Sequence, residues 1–185
     1  MAKIETPDPG SAEERFVRIF REHYPSVRAY VGRRAKSELV DDIVAETFLV
    51  AWRRLEDVPA DARPWLLGVA RKVLATQLRS LKRRESLRDR LLSATRPAEE
   101  EEHDRATPAT EALARLREKD REAITLVAWD GLTPKQAAAV LGQSSGAFRV
   151  RLHRAKRRLR RELERGATSA AVARMVSVAR EAFHE

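Results

Sequence analysis

One short segment constrains the fold more than any other: Thr133-Pro134-Lys135-Gln136, followed by Leu141-Gly142 and Ser144. Thr at an N-cap with Gln three residues later is a capping box, and proline suits the first position of a helix, so a short helix begins here. Gly142 favours a turn after this helix, and Ser144 is placed to cap the next one. A short helix, a glycine turn and a long helix are typical of a helix-turn-helix.

The long helix after the turn carries an apolar stripe of Phe148, Leu152, Ala155, Leu159 and Leu163. Its opposite face carries Gly146, Val150, His153, Arg154, Arg157 and Arg161. Small residues permit close approach to a major groove, guanidinium groups bind guanine edges or phosphates, and valine suits a thymine methyl group. The alternative is a solvated basic helix that binds nothing specific. We predict DNA contacts from Ser145, Arg149, Val150, Arg151, Arg154, Arg157 and Arg158.

Composition supports an all-α protein with a polyanionic partner. Gly and Pro total only 15 of 185 residues, and 37 Lys and Arg against 28 Asp and Glu give a net charge of +9. An acidic stretch without large apolar residues divides the chain, so we expect two small helical domains joined by a flexible acidic linker, the second domain being the helix-turn-helix. The predicted ranges are a disordered N-terminus at 1–11, helical domains at 12–92 and 110–165, the linker at 93–109 and a C-terminal helical extension at 166–185.

Three helical segments are predicted in the first domain. Pro25 lies within the first apolar stripe, so we expect two short helices or one kinked helix there. Ser37 is predicted to cap the second helix, which should run to about Leu55, and Pro64 to stand at the first position of the third. On the third helix Leu67, Leu74, Leu78 and Leu81 should face the core, while Lys72, Thr76, Arg79 and Arg83 form a cationic edge. Trp52 and Trp65 are expected to be core residues rather than base-stacking platforms.

The second domain should open with helices around Leu113–Leu116 and Arg121–Trp129, the latter capped by Asp120. In the C-terminal extension Val172, Met175, Val176, Ala179 and Phe183 form another helical stripe. This stripe either packs against the second domain or contacts a regulator.

Catalytic constellations are missing from the sequence. There is no Cys, the four His residues are scattered, and neither a nucleophile elbow nor a phosphate-cradling glycine loop occurs. His103 in the acidic stretch is better explained by a linker than by a metal site. From these missing motifs we expect no catalytic residue, no metal and no cofactor. No signal peptide or apolar span is evident either, so we expect no membrane insertion and a cytoplasmic location.

Two segments together resemble a known family. The first runs from Asp41 to Leu55 and continues at Pro64–Lys72, reading D-D-I-V-A-E-T-F-L-V-A-W-R-R-L and P-W-L-L-G-V-A-R-K. It is similar to region 2 of bacterial sigma factors of the extracytoplasmic-function (ECF) group. The second reads G-L-T-P-K-Q-A-A from Gly131 and continues through the basic helix, and it is similar to region 4 of the same group. Their order and the linker between them also agree.

The resemblance implies an initiation subunit that directs core RNA polymerase to promoter DNA. It implies core-polymerase binding through Asp42, Glu46, Phe48 and Trp52. Capture of the melted minus-ten strand would fall to a loop and the following helix, at Asp57, Val58, Asp61, Arg71, Lys72, Thr76 and Arg79. The minus-thirty-five element would be read by the long basic helix. An anti-sigma factor is a further implied partner.

The chain departs from the family pattern at two positions, since many members carry Gln where Ala45 stands and Asn where Lys72 stands. These departures concern core docking and minus-ten reading. The competing interpretation is a freestanding helix-turn-helix regulator whose first domain dimerises or senses a signal. A third, an enzyme acting on nucleic acid, lacks a metal site or nucleophile.

Overall fold

The computed structural model describes residues 12–92 and 107–182, with side chains at 12–84 and 107–167. This described part is all α-helical, as predicted, with seven α-helices, one 3-10 helix and no strand. The α-helices are α1 Ala12–Gly32, α2 Ser37–Arg53, α3 Ala62–Leu92, α4 Pro108–Ala114, α5 Glu118–Ala128, α6 Pro134–Val140 and α7 Ser145–Ala182, and the 3-10 helix is Leu55–Asp57. The predictions for residues 1–11, for most of the linker with His103 and for the side chains of the C-terminal stripe lie outside the described residues.

The helices form two compact units. In the N-terminal unit α1, α2 and α3 pack against one another in pairs. Their buried apolar side chains include Val27, Tyr30, Val31, Ile43, Phe48, Leu66, Leu67 and Leu74. Full burial of one such side chain contributes about 1.5–3 kcal/mol, so this core holds the three helices together. The fully buried Thr47 hydroxyl donates to the Ile43 carbonyl at 2.6 Å, which satisfies the polar group inside the core.

Pro25 lies inside α1, which is a single helix, so two separate helices do not occur. Buried side chains lie on both sides of the proline, with Ile19 before it and Val27 and Tyr30 after it. Packing therefore keeps the chain helical where local propensity predicts a break.

The predicted starts of α2 and α3 were wrong by one or two residues. Lys36 is the N-cap of α2 and no side chain caps it, so Ser37 is the first helical residue rather than the cap. The helix ends at Arg53, since Leu55 begins the 3-10 turn. Helix α3 begins at Ala62, which places Pro64 within the first turn, where backbone N–H groups have no intrahelical partner and a proline is tolerated.

In the C-terminal unit α7 packs against α4 and α5. The core comprises Leu113, Leu116, Ala123, Leu126, Leu132, Phe148, Leu152 and Ala155. Asp120 is not a cap, because α5 begins at Glu118 with Arg117 at its N-cap. The linker also ends earlier than predicted, since α4 begins at Pro108 after a capping box between Thr107 and Thr110.

The connections on either side of α6 have the predicted chemistry. The Thr133 N–H donates to Gln136 Oε1 at 2.9 Å, and the Gln136 N–H donates to Thr133 Oγ1 at 3.3 Å. After α6, Gly142 has φ +63°, and the N–H groups of Gly142 and Gln143 donate to the carbonyls of Ala139 and Ala138 at 3.1 and 3.0 Å. These bonds form a Schellman motif that ends α6. The Ser144 hydroxyl then accepts from the Ala147 N–H at 3.2 Å, which confirms Ser144 as the cap of α7.

Helix α7 continues without a break to Ala182. As far as Ala182, the C-terminal extension therefore continues the long helix.

Candidate nucleic-acid and partner interfaces

The exposed face of α7 is cationic, and we call it the α7 face. Phe148, Leu152 and Ala155 anchor the opposite side of the helix in the core. From Ser145 to Arg161 the helix has no Asp or Glu. Its exposed residues are Gly146, Ala147, Arg149, Val150, His153, Arg154, Lys156, Arg157, Arg160 and Arg161. This combination of an exposed apolar side chain with exposed cations suits a DNA groove.

The N-terminal end of the α7 face has small or uncharged side chains. Val150 is 51% exposed, and a Cβ added at Gly146 would meet no atom within 4 Å. As far as the described residues go, this end of the helix is therefore open to solvent at Gly146 and Val150. The predicted residues Ser145 and Arg151 flank the face and are half-buried.

Arg158 has a partner inside the protein. Its guanidinium forms an ion pair with the buried carboxylate of Asp120 on α5. The side chain of Asp120 is only 9% exposed, against 41% for that of Arg158. Arg158 therefore holds α7 to α5, and a DNA contact by this side chain would compete with the ion pair.

A second cationic surface follows α3. Lys72, Thr76, Arg79 and Arg83 are exposed, and we call this row the α3 edge. The Thr76 hydroxyl donates to the Lys72 carbonyl at 3.0 Å and accepts from Arg79 at 3.2 Å, so two of these side chains are linked. Leu67 and Leu74 are buried as predicted, whereas Leu78 is 44% exposed because the helix extends beyond the core at that point. Arg71 is half-buried beside the edge.

The segment between α2 and α3, Arg54–Asp61, is called the α2–α3 loop. Asp57 and Asp61 are exposed, and the Asp57 carboxylate accepts from Arg54 Nε at 2.8 Å. Val58 is only 3% exposed, so it anchors the loop in the core and its side chain is not available for a base. The loop thus presents three carboxylates, those of Glu56, Asp57 and Asp61, at the surface before α3 begins.

An apolar surface lies on α1 and α2. Val17, Phe20, Leu49 and Trp52 are each about 40% exposed, and we call this group the α1–α2 apolar face. Trp52 is thus not a core residue, contrary to prediction, while Trp65 is half-buried. Large exposed apolar side chains that cluster mark interaction sites.

Aromatic contacts join this apolar face to the core. The ring of Phe16 meets Trp52 edge-on at 5.2 Å, and Phe20 meets Phe48 at 4.7 Å between centroids. Tyr24 lies 5.2 Å from Phe20. Phe48 is 3% exposed, so it supports the face from beneath rather than belonging to it.

The acidic residues predicted to bind core polymerase lie on the same helix as Trp52. Asp42 is exposed and Glu46 is half-buried. Sequence reasoning missed Val17, Phe20 and Leu49 as surface residues. The signal was the number of apolar positions on α1 and α2, which exceeds what one buried stripe can hold.

Within the described residues no three His, Asp or Glu side chains are grouped to hold a metal ion. No helix in the described part of the chain has the length and apolar character needed to cross a membrane.

Comparison with known families agrees with both units. Residues 19–84 match the family described as Sigma-70 region 2, and residues 108–159 match Sigma-70, region 4. The two matches fall on α1–α3 and on α4–α7, where the geometry puts the α3 edge and the α7 face.

Known proteins with similar sequences or structures are sigma factors. The chain is 33% identical over 133 residues to the ECF RNA polymerase sigma factor SigL of Mycobacterium tuberculosis, covering 67% of this chain and 74% of SigL. It is 32% identical over 136 residues to the sigma factor NccH of Alcaligenes xylosoxydans xylosoxydans, covering 65% of this chain and 70% of NccH. The structure of the sigma factor RpoE in complex with the anti-sigma factor NepR from Bartonella quintana matches 80% of this chain and 96% of that chain, with a TM-score of 0.61 and 26% identity.

Coverage differs among the relatives, since the matched segment makes up only 34% of the sigma factor RfaY of Xanthomonas campestris pv. campestris. The matches to SigL and NccH, by contrast, span more than two thirds of those proteins and include both units. The chain therefore belongs to the sigma-70 family, within the group of ECF sigma factors.

Proposed function

We propose that this protein is a dissociable initiation subunit that directs core RNA polymerase to a set of promoters. The observation that carries the proposal is the presence of two separate cationic surfaces, the α7 face and the α3 edge, on two units of one chain. Two modest contacts on one DNA molecule gain affinity from being tethered, without new contacts. A protein that contacts DNA through one cationic surface would not need a second cationic surface on a separate unit.

In this proposal the C-terminal unit reads the minus-thirty-five element. The α7 face lies in the major groove, where Arg149 and Arg154 donate to base edges and Val150 contacts a methyl group. Lys156, Arg157 and Arg161 lie farther along the helix and bind phosphates, which position the protein. Arg158 contributes indirectly, because its ion pair with Asp120 fixes α7 on α5.

The N-terminal unit captures the minus-ten element after strand separation. The α2–α3 loop receives unstacked bases through Asp57 and Asp61, and the α3 edge tracks the phosphates. Arg71, Lys72, Thr76 and Arg79 supply that track. Val58 serves the loop as an anchor, since its side chain is buried.

Promoter opening by this arrangement needs no covalent chemistry. A protein that binds the separated strand more tightly than the duplex shifts the equilibrium towards the open form by its differential affinity alone. We therefore propose no enzymatic activity for the chain. Its place of action is the cytoplasm, where core polymerase and promoter DNA meet.

Core polymerase docks on α2 and its surroundings in this proposal. Trp52 supplies exposed apolar area, Phe48 supports it, and Asp42 and Glu46 provide charge on the same helix. Docking on core polymerase would explain why the isolated chain exposes the large apolar side chains of the α1–α2 apolar face. An anti-sigma factor is the second proposed protein partner, as the structural match to the NepR-bound RpoE suggests.

Run-off transcription with purified core polymerase on pooled genomic promoter fragments tests the proposal. We expect discrete start sites that appear only when the protein is added, and the aligned start sites should share elements near minus ten and minus thirty-five. Failure to bind core polymerase, together with specific binding of duplex DNA by the protein alone, would instead establish a freestanding helix-turn-helix regulator.

A further inference from the structure

Arg15 on α1 bonds to the α2–α3 loop from a distant part of the sequence. One terminal nitrogen donates to the Leu55 carbonyl at 2.8 Å and the other donates to the Val58 carbonyl at 2.6 Å. The acceptors are 40 and 43 residues away, so the contact is tertiary. A single planar guanidinium thus spans the 3-10 turn from its first residue to the residue that follows it.

Besides these two bonds, the loop is held by the buried side chains of Leu55 and Val58 and by Arg54, whose guanidinium lies 5.9 Å from the centroid of the Trp65 ring on α3. Leu55 and Val58 are buried, but apolar contacts are non-directional and fix depth more than direction. The bond from Arg54 to Asp57 is formed between exposed side chains within the loop itself. Two hydrogen bonds from one rigid fork, by contrast, fix the direction of two peptide carbonyls at once.

These two carbonyls set the position of the exposed residues of the α2–α3 loop. Asp57 lies between the two bonded carbonyls, and Pro59, Ala60 and Asp61 follow directly after the second. A pocket for an unstacked base requires its groups to stay within about 0.5 Å of the productive geometry. Arg15 itself is half-buried and bonded to the backbone.

We infer that Arg15 is a positioning residue for minus-ten recognition, holding the α2–α3 loop in the shape that receives the separated strand. The inference rests on the proposed function of that loop. Arg15 acts through the loop and does not itself read DNA.

The test compares the holoenzyme carrying Arg15→Lys, Arg15→Gln or the control Arg18→Gln, where Arg18 is an exposed cation one helical turn away on α1. The readout is run-off transcription on templates with a randomised minus-ten element and, separately, a randomised minus-thirty-five element. Both Arg15 variants should lose roughly tenfold in discrimination among minus-ten sequences, since charged hydrogen bonds are lost. Lysine should not rescue, because it keeps the charge but cannot form the fork. Minus-thirty-five discrimination and core affinity should match those of Arg18→Gln.

Two results would overturn the inference while leaving the proposed function intact. One is an unchanged minus-ten profile in Arg15→Lys, and the other is an equal loss on every template, which indicates general support of the fold. A wild-type holoenzyme without any minus-ten preference would instead overturn the proposed role of the loop itself. Arg15→Lys, the milder change, keeps the test decisive if Arg15→Gln does not fold.

Discussion

The ion pair of Asp120 with Arg158 joins a buried charge on α5 to the long helix α7. A buried carboxylate that loses its cation keeps its desolvation cost without compensation. The half-exposed Arg158 regains water when the pair breaks, which reduces the net effect.

Asp120→Asn should lower the free energy of unfolding of the C-terminal unit by about 1–2 kcal/mol, because the amide keeps the shape but loses the charge. Urea denaturation followed by circular dichroism measures this change. Glu111→Gln is the matched control, since Glu111 pairs with Arg115 at 3.6 Å with both side chains about half exposed. An equal loss in both variants would show that burial of Asp120 adds nothing.

Arg149 and Arg154 are the exposed cations nearest the N-terminal end of the α7 face. Alanine at either position should weaken minus-thirty-five-dependent initiation by about 1–3 kcal/mol if the guanidinium forms a bidentate base contact. Transcription from promoters with single changes in that element measures both the loss and the relaxed base preference. Arg165→Ala, which removes an exposed arginine paired with Glu162, should have little effect. Unchanged selectivity in both variants would remove these arginines from base reading.

At the scale of the element, helix ends are predictable from sequence when the residues that cap them are neighbours. The capping box formed by Thr133 and Gln136 and the cap at Ser144 depend on local hydrogen bonds, and the structure contains these bonds. Asp120 also has the side chain of a cap, but its partner Arg158 is 38 residues away and no local pattern reveals it. Pro25 is the opposite case, since a local breaker is overridden by burial on both sides.

Two glycines close to the turn should respond to alanine in opposite directions. Gly142 has φ +63°, a conformation in which a Cβ costs about 1–2 kcal/mol, so Gly142→Ala should destabilise the turn that ends α6. Gly146 lies in the first turn of α7 with open space around its Cα, so Gly146→Ala should raise stability by about 0.5 kcal/mol. Thermal denaturation of the two variants measures the difference. Destabilisation by both would mean that α7 does not tolerate a side chain at Gly146.

At the scale of the whole molecule, the fold class and the two cationic surfaces follow from periodicity and charge, because helix faces are set by a fixed angle per residue. The α1–α2 apolar face does not follow, since periodicity cannot tell a buried side chain from one held at the surface for a partner. Trp52 shows this limit, as does Val58, whose burial depends on how the loop folds back onto the core. The Arg15 contacts with the loop were equally hidden, because they join positions 40 or more residues apart.

Leu49→Glu should weaken core-polymerase binding at least tenfold while leaving the melting temperature nearly unchanged, because Leu49 is 39% exposed and a carboxylate buried in an apolar interface would be left unpaired. Leu78→Glu is the matched control, an exposed leucine of the same unit that lies on α3. Competition with labelled wild-type protein for purified core polymerase measures the affinity. Equal binding by both variants would exclude the α1–α2 apolar face as the docking site.

The two units should contribute independently to one promoter complex. If the α3 edge and the α7 face hold the same DNA, Lys72→Ala with Arg79→Ala and Arg149→Ala with Arg154→Ala should each lower holoenzyme affinity for the open promoter. The combined variant should lose the sum of both free energies to within about 0.5 kcal/mol, because the effects of substitutions at independent sites add. Filter binding measures the promoter affinity of the wild-type holoenzyme, the two double variants and the combined variant. The salt concentration is kept fixed, because phosphate contacts make the affinity depend on salt. A freestanding regulator predicts a different pattern, in which the α7 pair abolishes binding and the α3 pair leaves it unchanged.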